Sequence, residues 1–513
     1  MGAGGRLRSG TAGVRLSALP RLLKDPLPAA GIFVFALVLR VWLIHVYPVI
    51  FGTDTVLRLV NRDRIVDGHQ LPLLPAALHY LAYLSDDATA ARCMMAAFGA
   101  LACAGFFLLM RDLVDPLAAG GAALLFAVHP FLTALSIVPF QEIPMLALLL
   151  FAFHSFNEGR VAAASVWLAL AAMTRFESWA ACPVLAAAWA LQRPREKRLA
   201  GVVQGCLLFG WAPLAWIVFR RGLAPAGSYV VEASISPERL WRYVYLGWIV
   251  VKNTPVPALV LAALGVAALI RERRWREPRV AVLEAFFAVF LLAIPFSAHG
   301  LLQNPERLVT AREATLPLAA ILLACGFGLT WRSATVRGFA WALAAAGLGL
   351  GLWGTSRYIA RETAAPDLQL SYRLAQYLDR AVGPGERAVV LAKPMDPAGI
   401  RFFVDSAQRT GGAQAREAAL RELRSTDTAS FEYLCTLAYS HLGRQRLRTL
   451  SQSEFSNPPV WTGPPPEWVA LWSDFRPSNA AEEELLKETS RWRLVETLRA
   501  GGLSVLLFHR PAL

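Results

Sequence analysis

Apolar residues occur in blocks of roughly 17 to 22 along this chain, separated by short stretches in which arginine is the dominant polar residue. Read as membrane spans, the blocks predict about eleven transmembrane helices. They lie near 29–50, 91–110, 116–135, 142–156, 161–174, 179–192, 199–219, 255–270, 280–297, 314–331 and 338–355. The fourth to sixth blocks are short, which predicts reentrant or strongly tilted segments. The pattern changes after Arg357. Leu370, Leu374, Tyr377 and Leu378 recur at helical spacing over 367–382, and Gly383-Pro384-Gly385 closes that helix. The stretch 388–392 reads as a buried strand, with further strands expected over 467–472, 492–498 and 503–509. Ala500-Gly501-Gly502 supplies a hairpin turn between the last pair. The expected fold class is therefore a polytopic α-helical membrane protein with a small C-terminal α/β domain. Residues 1–28 form a basic cytoplasmic N-terminus, 29–355 the transmembrane domain and 356–513 the extracytoplasmic domain.

Composition supports the membrane reading. The chain of 513 residues is 56% hydrophobic and only 17% charged, where a soluble protein carries about 25% charged residues. Mean hydropathy is +0.43. The net charge of +14 suggests nucleic acid, but its distribution argues against that partner, because the arginines cluster at the ends of apolar runs. With the N-terminus inside, the even loops face the cytoplasm. They carry Arg111, Arg160, the cluster 193–198, the cluster 271–276, Arg332 and Arg337. This obeys the positive-inside rule and assigns the protein to the cell (inner) membrane as a multi-pass protein. An odd number of spans places the C-terminal domain outside. Arg6, Arg8, Arg15, Arg21 and Lys24 precede the first run, which is too long for a signal-peptide core, so a retained first helix is expected. The six cysteines form no CxxC pair, and five lie inside apolar runs, where they read as small core residues.

Chemistry is expected at the outer face. Asp54 stands in Phe51-Gly52-Thr53-Asp54-Thr55, just past the first apolar run. The same outer loop carries Arg58, Arg62, Asp63, Arg64, Asp67 and His69, followed by an apolar segment over 71–84 suited to the membrane surface. Most of those polar residues fit a solvated loop, whereas Asp54 sits at the helix end between small neighbours. Glu142 opens the fourth span on the same face. There it acts either as a charge at the helix dipole or as a second site carboxylate. Arg175-Phe176-Glu177 occupies the next outer turn, where Arg175 and Glu177 either pair with each other and reach headgroups or line the site. Arg220 and Arg221 follow the seventh span and Arg312 heads the tenth. Basic residues set against the positive-inside trend call for a phosphate ligand. Arg40, inside the first span, is expected to pair with a carboxylate or a phosphate. No HExxH pair, P-loop or dinucleotide fingerprint is present, so no metal site is assigned and nucleotide-driven transport is disfavoured. Asp54 with Glu142 could still hold a divalent cation through oxygen ligands. Gly347 to Gly351 in the last span reads as a helix-packing stripe.

Taken in order and sidedness, these motifs resemble the GT-C superfamily of membrane glycosyltransferases. The branch they resemble holds the protein O-mannosyltransferases, aminoarabinose transferases and rhizobial lipopolysaccharide transferases. The residues that carry the resemblance are Asp54, Glu142 in Pro139-Phe140-Gln141-Glu142, Arg175-Phe176-Glu177, and Arg312 before Leu316-Pro317. Relatives in that branch often have an Asp-Glu pair in the first loop, whereas here Thr55 follows Asp54. The resemblance implies a polyprenyl-phosphate sugar donor held among membrane lipid. It also implies transfer, usually with inversion, to a glycan, lipid or protein acceptor on the outer face. Asp54 would be the general base, Glu142 a second site carboxylate, and Arg312, Arg220 and Arg221 ligands of the donor phosphate. Arg58, Arg175 and Glu177 would line the site.

Two other readings compete. A transporter or lipid flippase would place ionisable residues near mid-membrane and often carries internal repeats; of these signs the chain shows only Arg40. A non-catalytic scaffold with an extracytoplasmic binding domain would bind lipid donor without transferring its sugar.

Overall fold

The computed structural model describes residues 27–62, 65, 71–85, 88–223, 237–297, 314–392, 430–449, 466–474 and 492–510. The chain enters through helix α1 (Leu27–Val46) and crosses an irregular segment into α2 (Thr53–Val60) and α3 (Leu73–Ala82). It then forms α4 (Ala88–Arg111), α5 (Pro116–Ala127), α6 (Pro130–Leu135), α7 (Glu142–Asn157) and α8 (Val161–Ala172). A short 3-10 turn, Phe176–Ala180, leads into α9 (Ala181–Leu191). The bundle continues with α10 (Arg198–Leu223), α11 (Pro237–Asn253), α12 (Val256–Arg271), α13 (Pro278–Ser297), α14 (Thr315–Gly328) and α15 (Ala334–Thr363).

These helices correct the span list in several places. Among the described residues, four helices are long and apolar enough to cross a membrane, or five if one bent pair counts as a single span. Several others are shorter: α7, with 16 residues, is about 24 Å long, against a hydrocarbon core of about 30 Å. The expected span over 116–135 is broken at His129-Pro130. Pro130 cannot donate to the helix ladder, and His129 caps α6 by accepting the Leu132 N–H. The carbonyls freed at this break find side-chain donors: Thr133 Oγ1 bonds Ala127 O at 3.0 Å and Thr355 Oγ1 bonds Val128 O at 2.9 Å. Helix α11 has no counterpart among the expected elements. Its charged residues hide it from an apolar-run reading, and it bends by 118° into α12. The last helix runs to Thr363, past the expected end at 355. Its glycine stripe does pack as expected, with Gly347 against Leu125 and Gly351 against Val128.

One end of the bundle gathers the basic turns. Arg274 donates to Leu113 O, Arg279 donates to Asp112 O at 3.2 Å and to Asn157 O at 3.4 Å, and Arg332 pairs with Glu272 at 3.3 Å. The ends of α1, α6 and α8 and the start of α7 lie at the other end, where the candidate site residues collect.

After α15 come α16 (Pro366–Ala381), β1 (Ala388–Leu391), α17 (Phe431–Tyr439), the short α18 (Gly443–Arg446), β2 (Leu447–Arg448), β3 (Trp468–Trp472), β4 (Arg493–Ala500) and β5 (Leu503–His509). The four strands read from the sequence, joined by the two-residue β2 that was not expected, form one five-stranded sheet in the order β2-β1-β3-β5-β4. Strand β1 pairs in parallel with β2 and β3, and the β3/β5 and β5/β4 pairs are antiparallel. One face holds Val389, Leu391, Val469 and Trp492. The other face packs through α16 and α17 into the same apolar core as the bundle. Glu386 fastens the turn before β1, accepting Gly383 N–H at 2.7 Å and Trp468 Nε1–H at 2.9 Å. The Gly383 amide, then the Trp468 indole, hold its carboxyl below the ordinary carboxylate value. A carboxylate depressed by folding stabilises the fold above its ordinary pKa, and that contribution is lost as pH falls through the depressed value. The wild-type melting temperature should therefore drop more than that of Glu386→Gln between about pH 5 and pH 3, measured by thermal unfolding in detergent. Equal drops would remove Glu386 as the cause.

Candidate functional site

The site is built on two irregular segments, 47–52 after α1 and 136–141 after α6, which lack ladder partners of their own. Arg92, 2% exposed near the start of α4, bridges them. It donates to Ile137 O at 2.9 Å, Pro48 O at 2.8 Å and Tyr47 O at 2.7 Å. Arg40 supports the second segment from below, with Nε on Ser136 Oγ at 2.6 Å and Nη1 on Ala36 O at 3.0 Å and Ala127 O at 3.4 Å. This corrects the expectation that Arg40 meets a carboxylate or a phosphate. A hydroxyl and backbone carbonyls satisfy it, and it serves packing. The fit is close: a Cβ on Gly99 would come within 2.5 Å of Arg40 Nε. The one observation favouring a transporter is thereby given a structural role.

The next contact carries the first loop onto the second. Arg58, 7% exposed, donates Nη1 to Pro139 O at 3.0 Å, with its guanidinium carbon 5.8 Å from the centre of the Phe140 ring. Gly52 adopts φ +89, and a Cβ there would lie 2.9 Å from Phe140 Cζ. Gly52 is the N-cap of α2, so Asp54 occupies the first turn of a helix rather than an open loop. Thr55 Oγ1 donates to Phe51 O at 2.8 Å and closes that turn. Gly52→Ala should be destabilising by about 1–3 kcal/mol from backbone strain. It should also cut any activity that depends on the placement of α2. Wild-type melting and turnover in this variant would count against the docking described here.

Glu142 follows the Pro139–Phe140 contact by two residues and heads α7 at 1% exposure. Arg175 Nη1 meets Glu142 Oε1 at 2.6 Å, and Arg175 Nε meets both Glu177 carboxylate oxygens at 3.0 Å. Arg175 Nη2 makes a further bond to Glu177 Oε1. The side chains are 13%, 2% and 16% exposed for Arg175, Glu142 and Glu177. Two features that the sequence keeps apart, Glu142 and the Arg-Phe-Glu turn, are thus one charge cluster. Arg175 covers Glu142 Oε1, so a divalent cation shared by Asp54 and Glu142 would compete with a guanidinium for that oxygen. Among the described residues, no group of three or more His, Cys, Asp or Glu is placed to hold a metal ion.

Arg312 lies outside the described residues, as do Asp63, Asp67 and His69; so do the side chains of Asp54, Arg220 and Arg221. The backbone places Asp54 in α2 and Arg220 and Arg221 in the last turn of α10. Arg92 and Tyr439 were not singled out in the sequence. A signal for Arg92 was present, since it is a cation at the outer end of an apolar run, against the charge trend. For Tyr439 there was none.

No family model and no curated protein matches this chain. Its likeness to solved structures is one of fold. The crystal structure of ArnT from Cupriavidus metallidurans bound to undecaprenyl phosphate matches with a TM-score of 0.56. The match covers 93% of this chain and 97% of that one at 13% identity. The chain shares its fold with that structure, in line with the GT-C resemblance read from the sequence. The apo structure of the same ArnT matches with a TM-score of 0.54 over the same shares. The oligosaccharyltransferase of Archaeoglobus fulgidus, in complex with Zn and sulfate, matches at 0.43 and 14% identity over 70% of this chain. This chain spans 60% of that structure's length. The shared fold and the long apolar helices fit a polytopic helical membrane protein.

Proposed function

We propose that this protein is a membrane glycosyltransferase that moves a sugar from a polyprenyl-phosphate donor to an acceptor on the extracytoplasmic face, with inversion. One observation carries the reading. Arg58 and Gly52 dock the helix bearing Asp54 onto Pro139–Phe140, directly before the buried Glu142–Arg175–Glu177 cluster. This acid-rich end lies opposite the arginine-rich turns, which fits the positive-inside rule with the site outside. The fold is shared with a structure that holds undecaprenyl phosphate.

In the proposed reaction Asp54 takes the proton of an acceptor hydroxyl as that oxygen attacks the anomeric carbon. The bond from the anomeric carbon to the phosphate oxygen breaks on the opposite face, and its electron pair leaves with the lipid phosphate. Carboxylates close to the anomeric carbon favour the oxocarbenium-like transition state. Arg312, Arg220 and Arg221 are the proposed ligands of the departing phosphate, whose charge grows as the bond breaks. Arg175 bridges Glu142 and Glu177, holding the two carboxylates side by side at this end of the bundle.

The test is transfer by purified protein in nanodiscs from a polyprenyl-phosphate donor with an isotopically labelled sugar, offered to lipid, glycan and peptide acceptors. NMR of the product reads the anomeric configuration. The expected product carries the configuration opposite to that of the donor. Retention would overturn the single-displacement step. Donor that binds and crosses the bilayer without cleavage would favour a flippase instead.

A further inference from the structure

Segment 47–52 leads from α1 into the helix that carries Asp54; Tyr47 N–H still bonds Leu43 O of α1 and Gly52 O accepts from Thr55 N–H of α2, but the groups between them have no strand or helix to pair with. A buried main chain of this kind needs partners from elsewhere. Arg92 takes the carbonyls of Tyr47 and Pro48, and Thr55 takes that of Phe51. Ile50, 0% exposed, is served by a residue 389 positions away in sequence. The Ile50 N–H donates to Tyr439 Oη, and that hydroxyl also reaches Ile50 O at 3.4 Å. One phenol thus faces both polar groups of one loop residue.

Tyr439 is the last residue of α17, which belongs to the C-terminal unit and packs against α2. Its ring stands edge-on to Tyr372 of α16, with centres 5.0 Å apart. Tyr47 Oη and Ser356 Oγ, 2.6 Å apart, tie the start of the same segment to α15, the helix that leads into this unit. The segment is therefore gripped from the bundle by Arg92 and from the C-terminal unit by Tyr439.

We infer that Tyr439 is a positioning residue: through Ile50 it sets the placement of the Asp54 helix, so that the C-terminal unit completes the active site. The inference rests on the glycosyl-transfer reading with Asp54 as base. A hydroxyl is a fitting clamp because it both accepts and donates, and so can serve an N–H and a C=O at once. Phenylalanine keeps the ring and loses both bonds.

The experiment compares full-length wild type, Tyr439→Phe and Tyr372→Phe in nanodiscs. Tyr372 is the control, because its hydroxyl bonds Gln376 at 2.8 Å within its own helix. Three quantities are measured: kcat and donor KM for sugar transfer, amide hydrogen exchange over 47–60, and melting temperature. In Tyr439→Phe, kcat should fall roughly 10- to 100-fold, the scale of a small misplacement of a catalytic group. Donor KM should change less than about twofold, since ground-state donor binding is retained. Exchange over 47–60 should accelerate, and Tyr372→Phe should match wild type in all three. Unchanged kcat in Tyr439→Phe would overturn the inference, as would unchanged exchange, or equal losses in both variants. Failure of the base assignment would show separately, as full activity in Asp54→Asn, while exchange over 47–60 would still report whether the clamp exists.

Discussion

Asp54→Asn is expected to lower kcat for sugar transfer by about 10²- to 10⁴-fold, the usual contribution of a general base. The substitution keeps the size of the side chain and removes its ability to take a proton. The helix around it is held by groups that the change does not touch: Arg58 on Pro139 O, Gly52 against Phe140 and Thr55 on Phe51 O. Melting temperature and donor affinity should therefore stay near wild type. The measurement is single-turnover transfer from a labelled polyprenyl-phosphate donor, alongside a donor-binding isotherm. Wild-type turnover would remove Asp54 as the base and move attention to Asp63, Asp67 or Glu142. Loss of donor binding together with turnover would make Asp54 a binding group rather than a base.

Arg175→Ala should destabilise the protein by about 3–5 kcal/mol, the usual cost of breaking a buried ion pair by removing one member. Here one guanidinium meets two carboxylates, Glu142 at 2.6 Å and Glu177 at 3.0 Å. Its removal leaves both acids in a protein interior. Arg175→Lys should rescue poorly, because an ammonium cannot reproduce the forked contact with Glu177. A second variant separates folding from chemistry: Arg175→Gln combined with Glu142→Gln and Glu177→Gln removes the whole cluster's charge. Thermal unfolding should show most of the stability restored. Transfer should remain lost if the negative charge takes part in the reaction. Recovery of transfer together with stability would make the cluster a structural device only.

Much of this architecture is legible locally. Helix and strand patterns are short-range signals, and β1, β3, β4 and β5 appear where hydrophobic alternation and the Gly501-Gly502 turn place them. Helix α11 escaped because its mixed charged and aromatic face does not register as an apolar run. The break at Pro130 escaped for the opposite reason, since apolar residues continue on both sides of it. Arg40 shows how a local oddity misleads: a cation in an apolar helix suggests a counter-ion, whereas a hydroxyl and freed carbonyls were the partners.

By itself the sequence determined the membrane-protein class, the segregation of the basic turns, four of the five strands of the C-terminal sheet and the short list of candidate acids and arginines. Each of these follows from composition or from periods of a few residues. Only the tertiary structure decided which of those residues meet. Arg175 joins Glu142 across 33 positions, Arg92 joins Ile137 across 45, and Tyr439 reaches Ile50 across 389. Contacts of that kind satisfy the backbone and charge of irregular segments, which have no internal hydrogen-bond pattern to be read from spacing. Their partners depend on how the helices are brought together, and no local period in the chain records it.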